Sequence, residues 1–144
     1  MAYDPNNVFA RILRGEIPAR KVYEDEWALA FHDINPLAPV HVLVIPKQHI
    51  ASLADVGAEH DAMLGRMLGL APRLMKELGV VNGFRTLINT GRDGMQEVPH
   101  LHIHIHPRRL DDGFQRLYPS PPPRADRATM DEYAERVREH LLAE

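Results

Sequence analysis

Four histidines alternate with apolar residues along one short segment, His100-Leu101-His102-Ile103-His104-Ile105-His106. A period of two is the side-chain period of a β-strand. On a strand it sets all four imidazoles on one face and Leu101, Ile103 and Ile105 on the other. Imidazole exchanges a proton near neutral pH, ligates metals through a neutral nitrogen, and attacks electrophiles. Three uses fit such a row. It can be the hydrated face of an edge strand. It can hold a metal, with His41 or His49 as a third ligand. Same-face residues lie roughly 6.5–7 Å apart on a strand, so two neighbours converge on one ion more easily than four. It can also carry covalent catalysis, one ring attacking an electrophilic phosphorus while its neighbours bind the phosphoryl oxygens. Spacing alone leaves the three open.

The surrounding chain bounds the choice. Its 144 residues suffice for one domain with a real core. An apolar fraction of 44% and a charged fraction of 26% are those of a globular protein. A net charge of −3 gives no global basic field, so no nucleic-acid partner is expected. The absence of cysteine excludes disulfides, thiol nucleophiles and thiolate metal sites. The first residues, Met1-Ala2-Tyr3-Asp4-Pro5, lack the basic and long apolar regions of a signal peptide. No run approaches the roughly 20 apolar residues of a membrane span. A cytoplasmic protein without a membrane partner is the expectation.

The elements that must position the histidines follow from periodicity and punctuation. Residues 6–14 predict a short helix with Val8, Phe9, Ile12 and Leu13 on its apolar face and Gly15 ending it. Val22–Glu24 and Ala28–His32 read as short strands, and Asn35-Pro36 and Ala38-Pro39 as a rigid loop. Val40–Ile45 is a β-branched strand stopped by Pro46. Met63, Met67, Leu70, Leu74 and Leu78 recur at helical steps, predicting the main helix over 59–78. Pro72 should kink or break it, and Gly79 should cap it. Phe84–Asn89 is a fourth strand, and residues 98–106 the fifth. Tyr118–Pro123 forms a semi-rigid arm. Thr129–Leu142 forms a closing helix with Thr129 as N-cap and Glu132 completing a capping box. The order lacks repeated βαβ units. It predicts an α+β domain with a mostly antiparallel five-stranded sheet, the long helix on one face and the histidines on the other. Residues 1–110 form the main domain. Residues 111–144 form a C-terminal extension, packed on that domain or on a dimer.

The residues flanking the row add a resemblance. Gln96-Glu97-Val98-Pro99 followed by the row and Pro107-Arg108 resembles the motif of the histidine-triad (HIT) superfamily. A second block lies upstream: Gly15-Glu16-Ile17-Pro18-Ala19, Val22-Tyr23-Glu24-Asp25, and Ala30 through Ile50, including Phe31-His32-Asp33-Ile34-Asn35-Pro36. Together they span about residues 7–108 and are most similar to the histidine-triad nucleotide-binding branch.

The resemblance implies a HIT fold, a homodimer and a purine nucleotide ligand. It implies two-step cleavage of purine nucleoside 5′-phosphoramidates or related adenylates. His102 would be the nucleophile, His104 would bind phosphoryl oxygens, and the backbone carbonyl of His100 would orient the nucleophile. His41 matches a fourth active-site histidine. Asp33 matches a ribose-binding carboxylate, and Phe9, Ile17, Phe31, Ile34 and Leu43 match positions around the base. Asn89 and the Val98 backbone match phosphate contacts. Glu97 replaces a Ser or Thr common in relatives, so either Glu97 is expected to point away from the phosphate or Gln96 to take over that contact. His106 replaces an apolar residue and is expected to be a neutral surface histidine. The cysteines of the structural zinc found in some members fall at Asn7 and Ala10. No metal and no cofactor are therefore expected. Asp112-Gly113-Phe114 resembles tails of bacterial and dinucleotide-hydrolysing relatives, which makes dinucleoside polyphosphates the rival substrates. A nucleotide-binding regulatory protein with incidental hydrolysis is the rival from another class.

Overall fold

The computed structural model describes residues 2–36, 40–113 and 126–141. Five strands, β1 (Lys21–Glu24), β2 (Ala28–His32), β3 (Val42–Pro46), β4 (Phe84–Leu87) and β5 (Ile103–Pro107), form one antiparallel sheet in the order β1-β2-β3-β5-β4. The described residues also form three α-helices: α1 (Val8–Leu13), α2 (Asp61–Glu77) and α3 (Arg127–Leu141). The α+β class, the five strands and the three helices are those expected. The chain divides into two compact units, Met1–Leu110 and Asp111–Glu144.

Strands β2 and β3 are apolar on both faces. Ala28, Ala30, Val42, Val44, Ile103 and Ile105 pack under Met63, Met67, Leu70, Ala71, Leu74 and Met75 of α2. Leu29, Phe31, Leu43 and Ile45 point the other way and pack with Phe9 and Ile12 of α1. This explains the unbroken apolar run of β3, which alternation would not give. The second face is thus not left to the histidines: α1 shares it. Fully burying each large side chain contributes about 1.5–3 kcal/mol.

Local chemistry sets the element ends. The Asn7 side chain accepts from Ala10 N at 2.9 Å and caps α1. Gly15 follows with φ +77°, a left-handed turn that glycine adopts without strain. Pro72 does not break α2, which runs continuously from Asp61 to Glu77. Pro72 lies on the solvent side, and the carbonyl its ring leaves unbonded belongs to half-exposed Leu68, where water can reach it. In α3 the cap is Asp126 rather than Thr129. Its carboxylate accepts from Thr129 N and Thr129 Oγ1, because aspartate three residues earlier caps as well as threonine. The arm at Tyr118–Pro123, the Ala38-Pro39 loop, Phe114 and Leu142 lie outside the described residues.

The predicted fifth strand is the largest difference. Only Ile103–Pro107 is strand. Residues 98–100 bend: His100 N donates to Val98 O at 2.9 Å, and Leu101 N reaches across to Ile50 O at 2.8 Å. Pro99 has no N–H for a ladder, so pairing cannot extend through it. The histidine row therefore straddles a bend and a strand.

Candidate active site

The bend removes the His100 ring from the row. That ring is fully buried. Its Nε2 donates to Pro46 O at 2.9 Å, and its Nδ1 accepts from the Tyr3 hydroxyl at 2.6 Å. A carbonyl only accepts, so the first bond fixes the tautomer. Burial pushes the His100 pKa down to about 4, against the pull of the Pro46 carbonyl. The expected line of four rings on one strand face is thus corrected. What His100 presents to its neighbour is its backbone oxygen.

His102 sits where the bend meets β5. Its Nδ1 donates to His100 O at 2.6 Å. The ring is buried, with Phe9 set edge-on at 5.0 Å. Burial lowers its pKa, while the His100 carbonyl and the charges of Asp33 and Glu97 oppose the shift. At neutral pH the ring is uncharged with its proton on Nδ1. The Nε2 lone pair is left to act as base, ligand or nucleophile.

His104 is next, its ring centroid 4.9 Å from that of His102. Leu43 pairs with His104 in the β3–β5 register, so His41, two residues before Leu43, lies on the same face. His41 Nε2 and His104 Nδ1 are 2.9 Å apart, and Asp33 Oδ2 lies 3.5 Å from His41 Nε2. The carboxylate favours the proton on His41 Nε2. That nitrogen then donates to His104, which keeps its own proton on Nε2. Burial lowers the pKa of both rings, that of His104 to about 4.

Asp33 links this cluster to an open groove of about 830 Å3 lined by Ile17, Pro18, Ala19, Arg20, His32, Asp33, Ile34 and Pro36. Asp33 Oδ1 also accepts from Asn35 N at 2.9 Å, so the residue closes its own loop as well. Ile17 and Ile34 line the groove as apolar walls. Phe31 and Leu43 do not line it. They are buried in the core beneath α1, and Phe9 packs between Phe31 and His102. Asn89 is half-buried just beyond β4.

Of the two alternatives for this stretch, the one that gives Gln96 a phosphate contact does not fit its hydrogen bonds. Its Nε2 donates to Ala51 O at 2.7 Å and to Val98 O at 2.8 Å, and its Oε1 accepts from Gly91 N at 3.0 Å. Both amide hydrogens are spent on backbone carbonyls, so Gln96 clamps the loop ahead of the bend and has none left for a phosphate. Val98 packs against the α1-side core.

His106 is corrected too. It is buried, not a surface residue. Its ring centroid lies 4.1 Å from that of His41. Burial lowers its pKa to about 4, helped by His41, Arg108 and Arg85. One ring nitrogen from each of His41, His104 and His106 lies within 4.8 Å of the other two.

Tyr3 was not anticipated. It stacks on His49 at 4.7 Å while bonding His100. No local pattern announces a contact 97 residues away. These residues do not fit the structural zinc of some relatives. Asn7 is engaged in the helix cap, Ala10 offers no donor side chain, and Tyr3 ties His49 to His100.

The fold and the clustered histidines match known proteins. The HIT domain family matches residues 14–111, and the chain belongs to that family. Protein HitA of Neisseria gonorrhoeae is 53% identical over 100 residues, 69% of this chain and 94% of that protein. The purine nucleoside phosphoramidase of Escherichia coli K12 is 44% identical over 99 residues, 68% of this chain and 83% of that one. The crystal structure of a histidine triad nucleotide-binding protein from Candida albicans superposes with a TM-score of 0.82 at 32% identity, covering 96% of this chain and 99% of that one. No helix among the described residues is long and apolar enough to cross a membrane.

Proposed function

We propose that the chain is a nucleotide-binding hydrolase cleaving purine nucleoside 5′-phosphoramidates or related adenylates through a covalent nucleotidyl intermediate on His102. The observation that carries the reading is the bond from His102 Nδ1 to His100 O, which leaves the Nε2 lone pair in place beside His104. The His102 Nε2 lone pair attacks the α-phosphorus as the P–N bond to the leaving amine breaks. The electron pair departs with that nitrogen, which takes up a proton. The imidazole gains positive character, and the His100 carbonyl dipole stabilises it. The His104 Nε2–H donates to a phosphoryl oxygen as charge builds there. Water then attacks phosphorus, the P–Nε2 bond breaks, and the nucleoside monophosphate leaves.

The groove is large enough for a nucleoside, within the range of about 300–1,000 Å3 for small-molecule sites. Asp33 would accept from both ribose hydroxyls, with Ile17 and Ile34 against the base. The Val98 backbone and Asn89 would meet the phosphate. Phe9, Phe31 and Leu43 support from beneath. A homodimer, which the family resemblance implies, acting in the cytoplasm completes the reading.

The test is substrate profiling with adenosine phosphoramidate and diadenosine polyphosphates. Faster phosphoramidate cleavage, lost in His102→Ala, supports the proposal. Polyphosphate cleavage far exceeding it would move the assignment to dinucleotide hydrolysis. A His102→Ala chain that keeps full activity would reject the nucleophile.

A further inference from the structure

The proposed reaction uses His100, His102 and His104, with His41 bonded to His104, and leaves His106 without a task. Packing does not call for an imidazole there, since an apolar side chain fills buried volume without desolvating a ring nitrogen. His106 stands two residues beyond His104 on β5, and its ring is nearly parallel to that of His104, with planes 10° apart and centroids 5.9 Å apart. His41 closes the triangle from the neighbouring strand.

From these positions we propose that His41, His104 and His106 form a binding site for one divalent transition-metal ion of the zinc class. This revises the expectation of no metal. Neutral imidazole nitrogens suit zinc, copper or nickel, whereas magnesium and calcium require oxygen ligands. Zn–N bonds of 2.0–2.1 Å at tetrahedral angles hold two nitrogens about 3.3 Å apart. The three nitrogens here bracket that spacing. His41 Nε2 and His104 Nδ1 are 2.9 Å apart, and the set spans up to 4.8 Å. Metal entry removes the proton shared by His41 and His104, opens that pair by about 0.4 Å, and draws His106 inward.

Three imidazoles leave a fourth position for water or for Asp33, whose Oδ2 lies 3.5 Å from His41 Nε2. The carboxylate offsets part of the ion's charge. Arg85 and Arg108 act on His106 with the opposite sign. The ligands sit on or beside two paired strands, so little backbone must move.

The assignment is read by binding, so it stands or falls apart from the proposed hydrolysis. The full chain, free of any affinity tag, is titrated with zinc chloride by calorimetry and examined by zinc-edge X-ray absorption. One ion per chain with three imidazole nitrogens at 2.0–2.1 Å is expected. His106→Ile should weaken binding at least about tenfold, while His102→Ala binds like the wild type. Equal binding by wild type and His106→Ile overturns the site. So does an absorption spectrum with fewer than three imidazoles, which needs no variant to fold. Loss of binding in His102→Ala would move the ion to the other side of His104.

Discussion

Acid should destabilise this protein before its carboxylates titrate, and His100 sets the size of the effect. The ring is fully buried between Tyr3 and the Pro46 carbonyl and holds its pKa near 4, against 6.5 for an ordinary imidazole. The unfolded chain therefore binds a proton at this position between pH 6.5 and 4 that the folded chain refuses. Stability is full above pH 6.5 and falls as the pH drops toward 4. The slope approaches about 1.4 kcal/mol per pH unit between the two pKa values, so His100 alone removes about 2 kcal/mol between pH 6.5 and 4.5. His104 and His106 shift the same way and add to the loss. Glu24, Asp25 and Asp55 also titrate with lowered pKa values, but their unfolded values of 3.8–4.5 place their contribution below this window. Urea unfolding at half-unit steps from pH 7.5 to 4.5 measures the slope, and His100→Gln should flatten it by about one proton. A wild-type stability that stays level between pH 6.5 and 4.5 would refute the buried neutral ring.

Two further outcomes concern single side chains. Met67 is fully buried where α2 meets the sheet, so Met67→Ala should cost about 2–5 kcal/mol in urea unfolding without changing the m-value. Tyr3→Phe removes one hydrogen bond to His100 and should cost about 1 kcal/mol while lowering kcat more than it raises KM, because it loosens the residue whose carbonyl orients His102.

Much of the fold is readable from local pattern. The apolar runs of β2 and β3, the three- and four-residue steps of α2, and Gly15 as a stop all reflect forces acting within a few residues. The nucleophile candidate rests on the resemblance of Gln96–Pro99 and the row to the histidine-triad motif, because the spacing of the imidazoles alone leaves three uses open. The departures arise where a distant partner decides. Pro99 hints at a break, but the turning-in of His100 depends on the Pro46 carbonyl and the Tyr3 hydroxyl. His106 looks like a strand-end residue until the pairing of β3 with β5 brings His41 against it. Gln96 reads as a phosphate ligand by position, yet two backbone groups of its own loop, at Gly91 and Val98, and the distant Ala51 carbonyl take its amide. Phe31 and Leu43 match base-site positions through the family resemblance and are equally good core residues by type, and the placement of α1 puts them in the core.

The central claim is that His102 Nε2 forms a bond to phosphorus. Rapid quenching of the protein with adenosine phosphoramidate, followed by peptide mass spectrometry under conditions that preserve phosphoramidate bonds, tests it directly. An adenylyl mass increment on the peptide carrying His102, absent in His102→Ala, is the predicted result. Substrate turnover with no protein-bound adenylate at any quench time, or an adduct located on His104 or His106, would contradict it.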